Sequence, residues 1–252
     1  MQIYLSDKRK EEVLVEFEGV SLSFSGKKIL DDISFSVKRG CSMAVLGKCG
    51  SGKTSLLKLC VGLHKPDDGK IFLSGNDLEK TGHKRMLELR LDAGFVFQNS
   101  ALISNLSIFK NVCLPLEYHK TSYSQEQIAK TVELCLEMVN MEGEENNLPH
   151  QLSAGARRRA AVARAIALYP SIMFYDEPTS GLDPINKRSV IEILKSLRTG
   201  FGVTSILTTN DPETACELAD TVLVLEDSRI LFRGSPDEFR ASTEPFIKKM
   251  TV

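Results

Sequence analysis

Two groups of residues in this chain are spaced for phosphate chemistry. Gly47-Lys48-Cys49-Gly50-Ser51-Gly52-Lys53-Thr54 satisfies G-x-x-x-x-G-K-[ST], follows the apolar run 43–46, and continues through Ser55 into a helical pattern over 55–62. Glycines in such a loop let successive backbone N–H groups turn inward around phosphate oxygens at a helix N-terminus. Lys53 then adds a positive charge at the β- and γ-phosphates, and Thr54 offers a hydroxyl to Mg²⁺. The second group is Asp176-Glu177, which ends the apolar run 172–175, at the edge where an α/β sheet binds its ligands. Asp176 is placed to hold the metal through water, and Glu177 to orient or deprotonate the attacking water. Alone, a glycine loop is only flexible and an acid pair at a strand end only solvated; together they describe hydrolysis of a nucleoside triphosphate. Cys49 inside the loop is either a thiol activated by the surrounding N–H donors or an inert small residue.

The elements that must carry these residues read as follows. Over 13–75, short alternating runs such as GVSLSFSGKKIL and DDISFSVKRG, separated by glycines, predict β-structure. Residues 124–139 change period: Ile128, Val132, Cys135, Leu136 and Val139 share a helical face, and Ser124 and Gln127 are spaced as a capping box. A helical insert is expected between about residues 99 and 160. Three more apolar strands, 172–175, 203–207 and 221–225, alternate with helical stretches, including 186–198 with Val190, Leu194 and Leu197 on one side. That order predicts an α/β fold with a mainly parallel sheet, in one domain of two subdomains.

Composition narrows the function classes. The 252 residues are 42% apolar, enough for a continuous core, and 32 basic residues balance 33 acidic ones to a net charge of −1. No overall field favours nucleic acid, so no nucleic-acid partner is expected. The six cysteines lie far apart without a C-x-x-C pair, which fits reduced thiols in a cytoplasmic protein. The N-terminus MQIYLSDKRKEE is charged, and no run approaches the roughly 18 apolar residues of a spanning helix.

Several further motifs stand in a fixed order around this frame: Gln98 in FVFQ, Leu152-Ser153-Ala154-Gly155-Ala156, Asp176-Glu177-Pro178 and Ser180-Gly181-Leu182-Asp183. With the phosphate loop they resemble the ABC-transporter ATPases over nearly the full length. The resemblance implies a P-loop NTPase fold of ABC type: a mainly parallel core sheet, an N-terminal antiparallel β-subdomain and a helical subdomain. It implies one nucleotide-binding domain over 11–243, with the helical subdomain at about 99–160 and a short tail at 244–252. It further implies that two copies, expected as a homodimer, sandwich two ATP molecules, each held by one copy's phosphate loop and the other's Ser153 and Gly155. Phe24 would stack on adenine, unless it is a core aromatic; Gln98 would join the Mg²⁺ shell, unless it is a surface amide; Asp183 would link the two sites. Ser153 is also a natural cap for the alanine-rich helix behind it, and Asp183-Pro184 reads as N-cap and first helical position.

The chain departs from the family at two places. The switch histidine falls on Asn210, and the signature carries Ala154 and Ala156 in place of Gly and Gln. Slow but retained ATP turnover is the expectation. Within the family, 97–102 (FQNSAL), 109–116 (FKNVCLPL) and 156–161 (ARRRAA) look like the Mla/Mce-type lipid-transport ATPases. The N-V-x-L-P-L segment also resembles methionine importers, lipoprotein-release ATPases and the cell-division ATPase. This resemblance implies integral-membrane permease subunits as partners, together with an Mce-type lipid-binding protein, and a place on the cytoplasmic face of the inner membrane. Leu102, Ile103, Leu106 and Ile108 are either the permease-docking surface or the core of the helical subdomain. A non-transport or regulatory ATPase is the other class of reading.

Overall fold

The computed structural model describes residues 12–120 and 122–250. The expected domain start at residue 11 and the last two residues of the expected tail lie outside the described residues. In chain order the elements begin with β1 (Val13–Phe24), β2 (Lys27–Lys38), β3 (Ser42–Leu46), α1 (Lys53–Cys60), β4 (Asp68–Leu73), β5 (Asn76–Asp77), α2 (His83–Leu91) and β6 (Ala93–Val96). The helical part follows with α3 (Ile108–His119), α4 (Gln125–Glu137), a 3₁₀ turn (Pro149–Gln151) and α5 (Ala154–Ile166). The chain then runs through β7 (Ile172–Asp176), α6 (Pro184–Phe201), β8 (Thr204–Thr209), α7 (Pro212–Leu218), β9 (Thr221–Glu226), β10 (Arg229–Gly234), α8 (Pro236–Arg240) and α9 (Pro245–Met250).

The N-terminal strands form an antiparallel sheet in the order β2-β1-β4-β5. The second sheet runs β10-β9-β3-β8-β7-β6 and is parallel from β9 to β6, with only β10 antiparallel. Its central strands are covered on both faces, which is why β3 and β7 are buried at every position rather than alternating. Within this sheet Leu46 pairs with Thr209 and Asp176 with Thr208, so β3, β8 and β7 end side by side. That register brings the phosphate loop and the acid pair, distant in sequence, to one edge.

The capping box forms as read: Ser124 N donates to Gln127 Oε1 (2.8 Å) and Gln127 N to Ser124 Oγ (3.2 Å). Ile128, Val132, Cys135 and Leu136 are buried on the expected face of α4, and Val139 is buried just beyond its end. The strand expected over 203–207 extends to Thr209, because Thr208 and Thr209 are buried between two parallel neighbours although their hydroxyls weaken the apolar signal. The apolar residues after Gln98 divide: Ile108 is fully buried, whereas Ile103 is 42% exposed. Within the expected short tail, residues 245–250 form a helix, with Ile247 buried in the core.

The loop before α3 depends on one residue. Asn111 is fully buried; its Oδ1 accepts from Ile103 N (2.7 Å), and its Nδ2 faces the carbonyls of Ile103 (3.1 Å), Leu106 (3.0 Å) and Ser107 (3.0 Å). Removing a buried amide leaves those backbone groups unmet, at about 1–3 kcal/mol for each unsatisfied group. Asn111→Leu should therefore lower stability by roughly 3 kcal/mol in urea unfolding, with faster amide exchange concentrated at residues 103–107.

Candidate active site

The phosphate loop is shaped by close backbone approach. A Cβ on Gly47 would stand 2.8 Å from the carbonyl of Leu225 on β9, and Gly52, the residue before α1, holds φ +98°. Lys53 is 5% exposed; its Nζ donates to the carbonyls of Gly47 (2.8 Å) and Lys48 (3.0 Å) and forms an ion pair with Glu177 Oε1 at 3.1 Å. Thr54 Oγ1 donates to the Asp176 carboxylate, at 2.9 and 3.0 Å from its two oxygens. Lys48 points outward to Glu226 (3.1 Å), with its ammonium 4.6 Å from the centre of the Phe246 ring. The Ser51 hydroxyl is buried without a hydrogen-bond partner among the described residues.

A cleft of about 220 Å³ opens over this loop, lined by Cys49, Gly50, Gly52, Lys53, Thr54 and Ser55, with Ile29, Gln98 and Glu177 across from them. Gln98 is exposed on this cleft, so the structure brings it together with the loop and Glu177. Cys49 is exposed there too, while burial pushes the thiol of Cys113 up to about 11 and that of Cys135 up to about 12.

The acid pair is held from three sides. Asp176 and Glu177 are 3% and 8% exposed. Thr208 Oγ1 donates to Asp176 Oδ1 at 2.8 Å and accepts from Glu177 N at 3.0 Å. Glu177 adopts φ +50°, a left-handed conformation that a non-glycine residue keeps only where its surroundings enforce it. Its carbonyl accepts from Arg158 Nη1 (3.0 Å) on α5 and from Ser180 N (3.2 Å). Burial pulls the Arg158 guanidinium down from its ordinary range, against the opposing pull of Asp176 and Glu177. Sequence reasoning missed both Thr208 and Arg158. The Thr-Thr pair ending β8 was a usable signal, but nothing local marked Arg158.

Phe24, Ser153, Gly155, Asp183 and Asn210 do not line the cleft of their own chain. Phe24 is 43% exposed and edge-on to His64 at 5.3 Å, so it is not a core aromatic. Ser153 is exposed and caps α5 by accepting from Ala156 N (3.1 Å), while Gly155 is pressed against Asn186, leaving no room for a Cβ. Asp183 caps α6 by accepting from Ile185 N and Asn186 N, both at 3.0 Å; the Asn186 amides hold its carboxyl below the usual range. Asn210 is exposed just past the end of β8.

The donor set beside the loop suits a hard divalent cation: the Thr54 hydroxyl and the Asp176 carboxylate already meet, and the Gln98 amide borders the same cleft. All three offer oxygen, and an exposed cleft leaves room for water ligands.

A family model described as "ABC transporter" matches residues 30–180. The chain belongs to the ABC transporter family. As a family member it is an ATP-binding subunit and an ATPase, of a class that works as dimers with membrane permeases. It is 34% identical over 236 residues to the intermembrane phospholipid transport system ATP-binding protein MlaF of Escherichia coli (strain K12), covering 94% of this chain and 87% of that one. It is 36% identical to the sulfate/thiosulfate import ATP-binding protein CysA of Bacillus cereus, covering 92% of this chain but 65% of that one. Among solved structures, the dimeric post-hydrolysis state of the ATP-binding cassette MJ0796 bound to ADP and Pi is similar with a TM-score of 0.81 at 29% identity. That match covers 88% of this chain and 99% of the other.

Two outcomes follow from the geometry. Since Cys49 is exposed on the cleft and burial holds Cys113 and Cys135 un-ionised, alkylation at neutral pH should favour Cys49 and should slow at least several-fold with saturating ATP, as read by mass spectrometry. Thr208→Val removes the hydroxyl shared by Asp176 and Glu177. With charge-assisted hydrogen bonds worth about 1.5–3 kcal/mol, it should lower kcat by about 10- to 100-fold in a steady-state ATPase assay.

Proposed function

We propose that this chain powers a membrane permease that moves phospholipid or another hydrophobic substrate, through ATP-driven closure of a homodimer. The observation that carries the ATPase chemistry is the buried contact of Lys53 with Glu177 beside that of Thr54 with Asp176. Phosphate oxygens offer Lys53 acceptors that replace Gly47 O, Lys48 O and the Glu177 carboxylate, and release of Glu177 frees it to orient and deprotonate the attacking water. Thr54, Asp176 and Gln98 are the residues that would hold Mg²⁺, whose charge offsets that developing on the β- and γ-phosphates. Phe24 is the proposed adenine platform, its exposed ring supporting that use.

Ser153 and Gly155 lie away from their own chain's cleft, which supports the reading that they act on the nucleotide of a second copy, with Asp183 at the junction. Asn210 and the altered Ala154 and Ala156 support slow turnover, because an amide cannot supply the imidazole contact to the γ-phosphate. Residues 11–243 are proposed as the nucleotide-binding domain, with the helical subdomain at about 99–160 and the tail at 244–252. The phospholipid reading rests on the relative named for that transport, matched over nearly the whole length of both chains. The proposed partners are integral-membrane permease subunits and an Mce-type lipid-binding protein, and the proposed site is the cytoplasmic face of the inner membrane. No helix among the described residues is long and apolar enough to cross a membrane.

Glu177→Gln should abolish turnover and trap an ATP-bound dimer by size-exclusion chromatography, whereas Asn210→His should raise kcat several-fold. An unchanged Glu177→Gln rate contradicts the assignment. Reconstituted with its co-purified permease, the ATPase should be stimulated by phospholipid and not by sulfate or methionine; the opposite preference would assign it to an importer.

A further inference from the structure

Arg158 is 5% exposed and sits on α5, five residues beyond the Ser153 cap. Its Nη1 donates to the Glu177 carbonyl at 3.0 Å, while its Nε is buried and finds no acceptor among the described residues. A buried guanidinium with an unmet donor is a poor device for stability alone, because an apolar side chain of similar volume packs there without the desolvation cost. What offsets that cost is position, since Asp176 and Glu177 pull favourably on the same guanidinium and the acceptor is the backbone of a residue at φ +50°.

The same helix makes a second contact of this kind. Arg164 donates to the carbonyls of Ala101 (2.7 Å) and Ser100 (3.1 Å), two consecutive residues at positive φ just after Gln98. α5 thus carries Ser153 and Gly155 at its start and ends two arginines on positive-φ backbone, Arg158 on Glu177, which lines the cleft, and Arg164 on Ser100 and Ala101, which follow the cleft residue Gln98. At 1.5 Å rise per residue, Ser153 and Arg158 are about 7.5 Å apart along a rigid helix, so a shift of the helix start reaches the Glu177 carbonyl almost undiminished.

We infer that Arg158 is a positioning residue: it ties the backbone of Glu177 to α5, so that the water-orienting carboxylate of one site is set by whether the same chain's Ser153 and Gly155 have engaged the nucleotide held by the partner copy. This rests on the assignment of Glu177 proposed above. It makes α5 the mechanical link between the two composite sites of a dimer, running through one chain from the signature that serves one nucleotide to the glutamate that serves the other.

The test uses the full chain with Arg158→Met, Arg158→Lys and Glu177→Gln, measuring ATP affinity by equilibrium binding, kcat and KM, the Hill coefficient for ATP, and the melting temperature. Arg158→Met should bind ATP within twofold of the parent, lose at least tenfold in kcat and show a Hill coefficient reduced toward 1, with Arg158→Lys recovering part of both. Parental kcat and Hill coefficient in Arg158→Met overturn the inference, as does a loss of affinity in step with kcat and melting temperature, which marks Arg158 as structural only. Should Arg158→Met fail to fold, Arg158→Lys decides: a reduced kcat at unchanged affinity supports the inference, and parental kcat overturns it. Parental turnover in Glu177→Gln overturns the underlying assignment and this inference with it, whereas an inactive Glu177→Gln beside an unaffected Arg158→Met overturns this inference alone.

Discussion

Four charged side chains, Lys53, Arg158, Asp176 and Glu177, are buried within reach of one another, and a protein interior tolerates such a group only when its charges balance and most of its hydrogen bonds are met. Here two cations face two carboxylates. Thr54 and Thr208 fill acceptor positions on Asp176, Lys53 pairs with Glu177, and Arg158 takes the Glu177 carbonyl. The partners come from three elements, Lys53 and Thr54 from α1, Thr208 from β8 and Arg158 from α5, so the requirement reaches far into the fold. β3 must lie beside β8 and β8 beside β7 to set the loop, the threonine and the acid pair at one edge. α5 must pack over that edge to bring Arg158 down. The order of the core sheet, its parallel register and the docking of the helical part all serve this cluster.

The cluster also explains how the site can be both stable and responsive. Lys53 is held by two loop carbonyls and Glu177, groups that triphosphate oxygens can replace one for one. Binding therefore exchanges one set of charge-assisted contacts for another without leaving a buried ammonium unmet. Glu177, kept at a left-handed backbone by hydrogen bonds at both its N–H and its carbonyl, cannot drift when its carboxylate is released.

How much of this was legible in the sequence depends on the range of each signal. The phosphate loop, the acid pair, the Ser124 capping box and the parallel sheet were readable because each is written in adjacent residues or in a short period. Phe24 reads equally as core aromatic or adenine platform, since a single aromatic at a strand end carries no orientation; its 43% exposure answers half of that question. Thr208 lies just past the apolar run 203–207, where its hydroxyl weakens the apolar signal of the strand end. Arg158 is one of three consecutive arginines, 157–159, indistinguishable until the helix turns one of them onto Glu177. Asn111 and Phe246 likewise act only through residues brought near by folding. Local chemistry was legible; the groups that hold it in place were not.

The central claim is that each working site is assembled from two copies, the phosphate loop of one and the start of α5 of the other. Mixing two inactive variants tests it most directly. Lys53→Ala damages the loop of every site in its homodimer, and Ser153→Arg, at an exposed cap, damages every signature in its own. A mixed dimer then has one site with both lesions and one with neither. The account predicts that ATPase activity, absent in each variant alone, appears on mixing and is greatest near equal proportions. Mixtures as inactive as their components, although mixed dimers are detected, would contradict it, because each copy would then hydrolyse ATP with its own loop and its own signature.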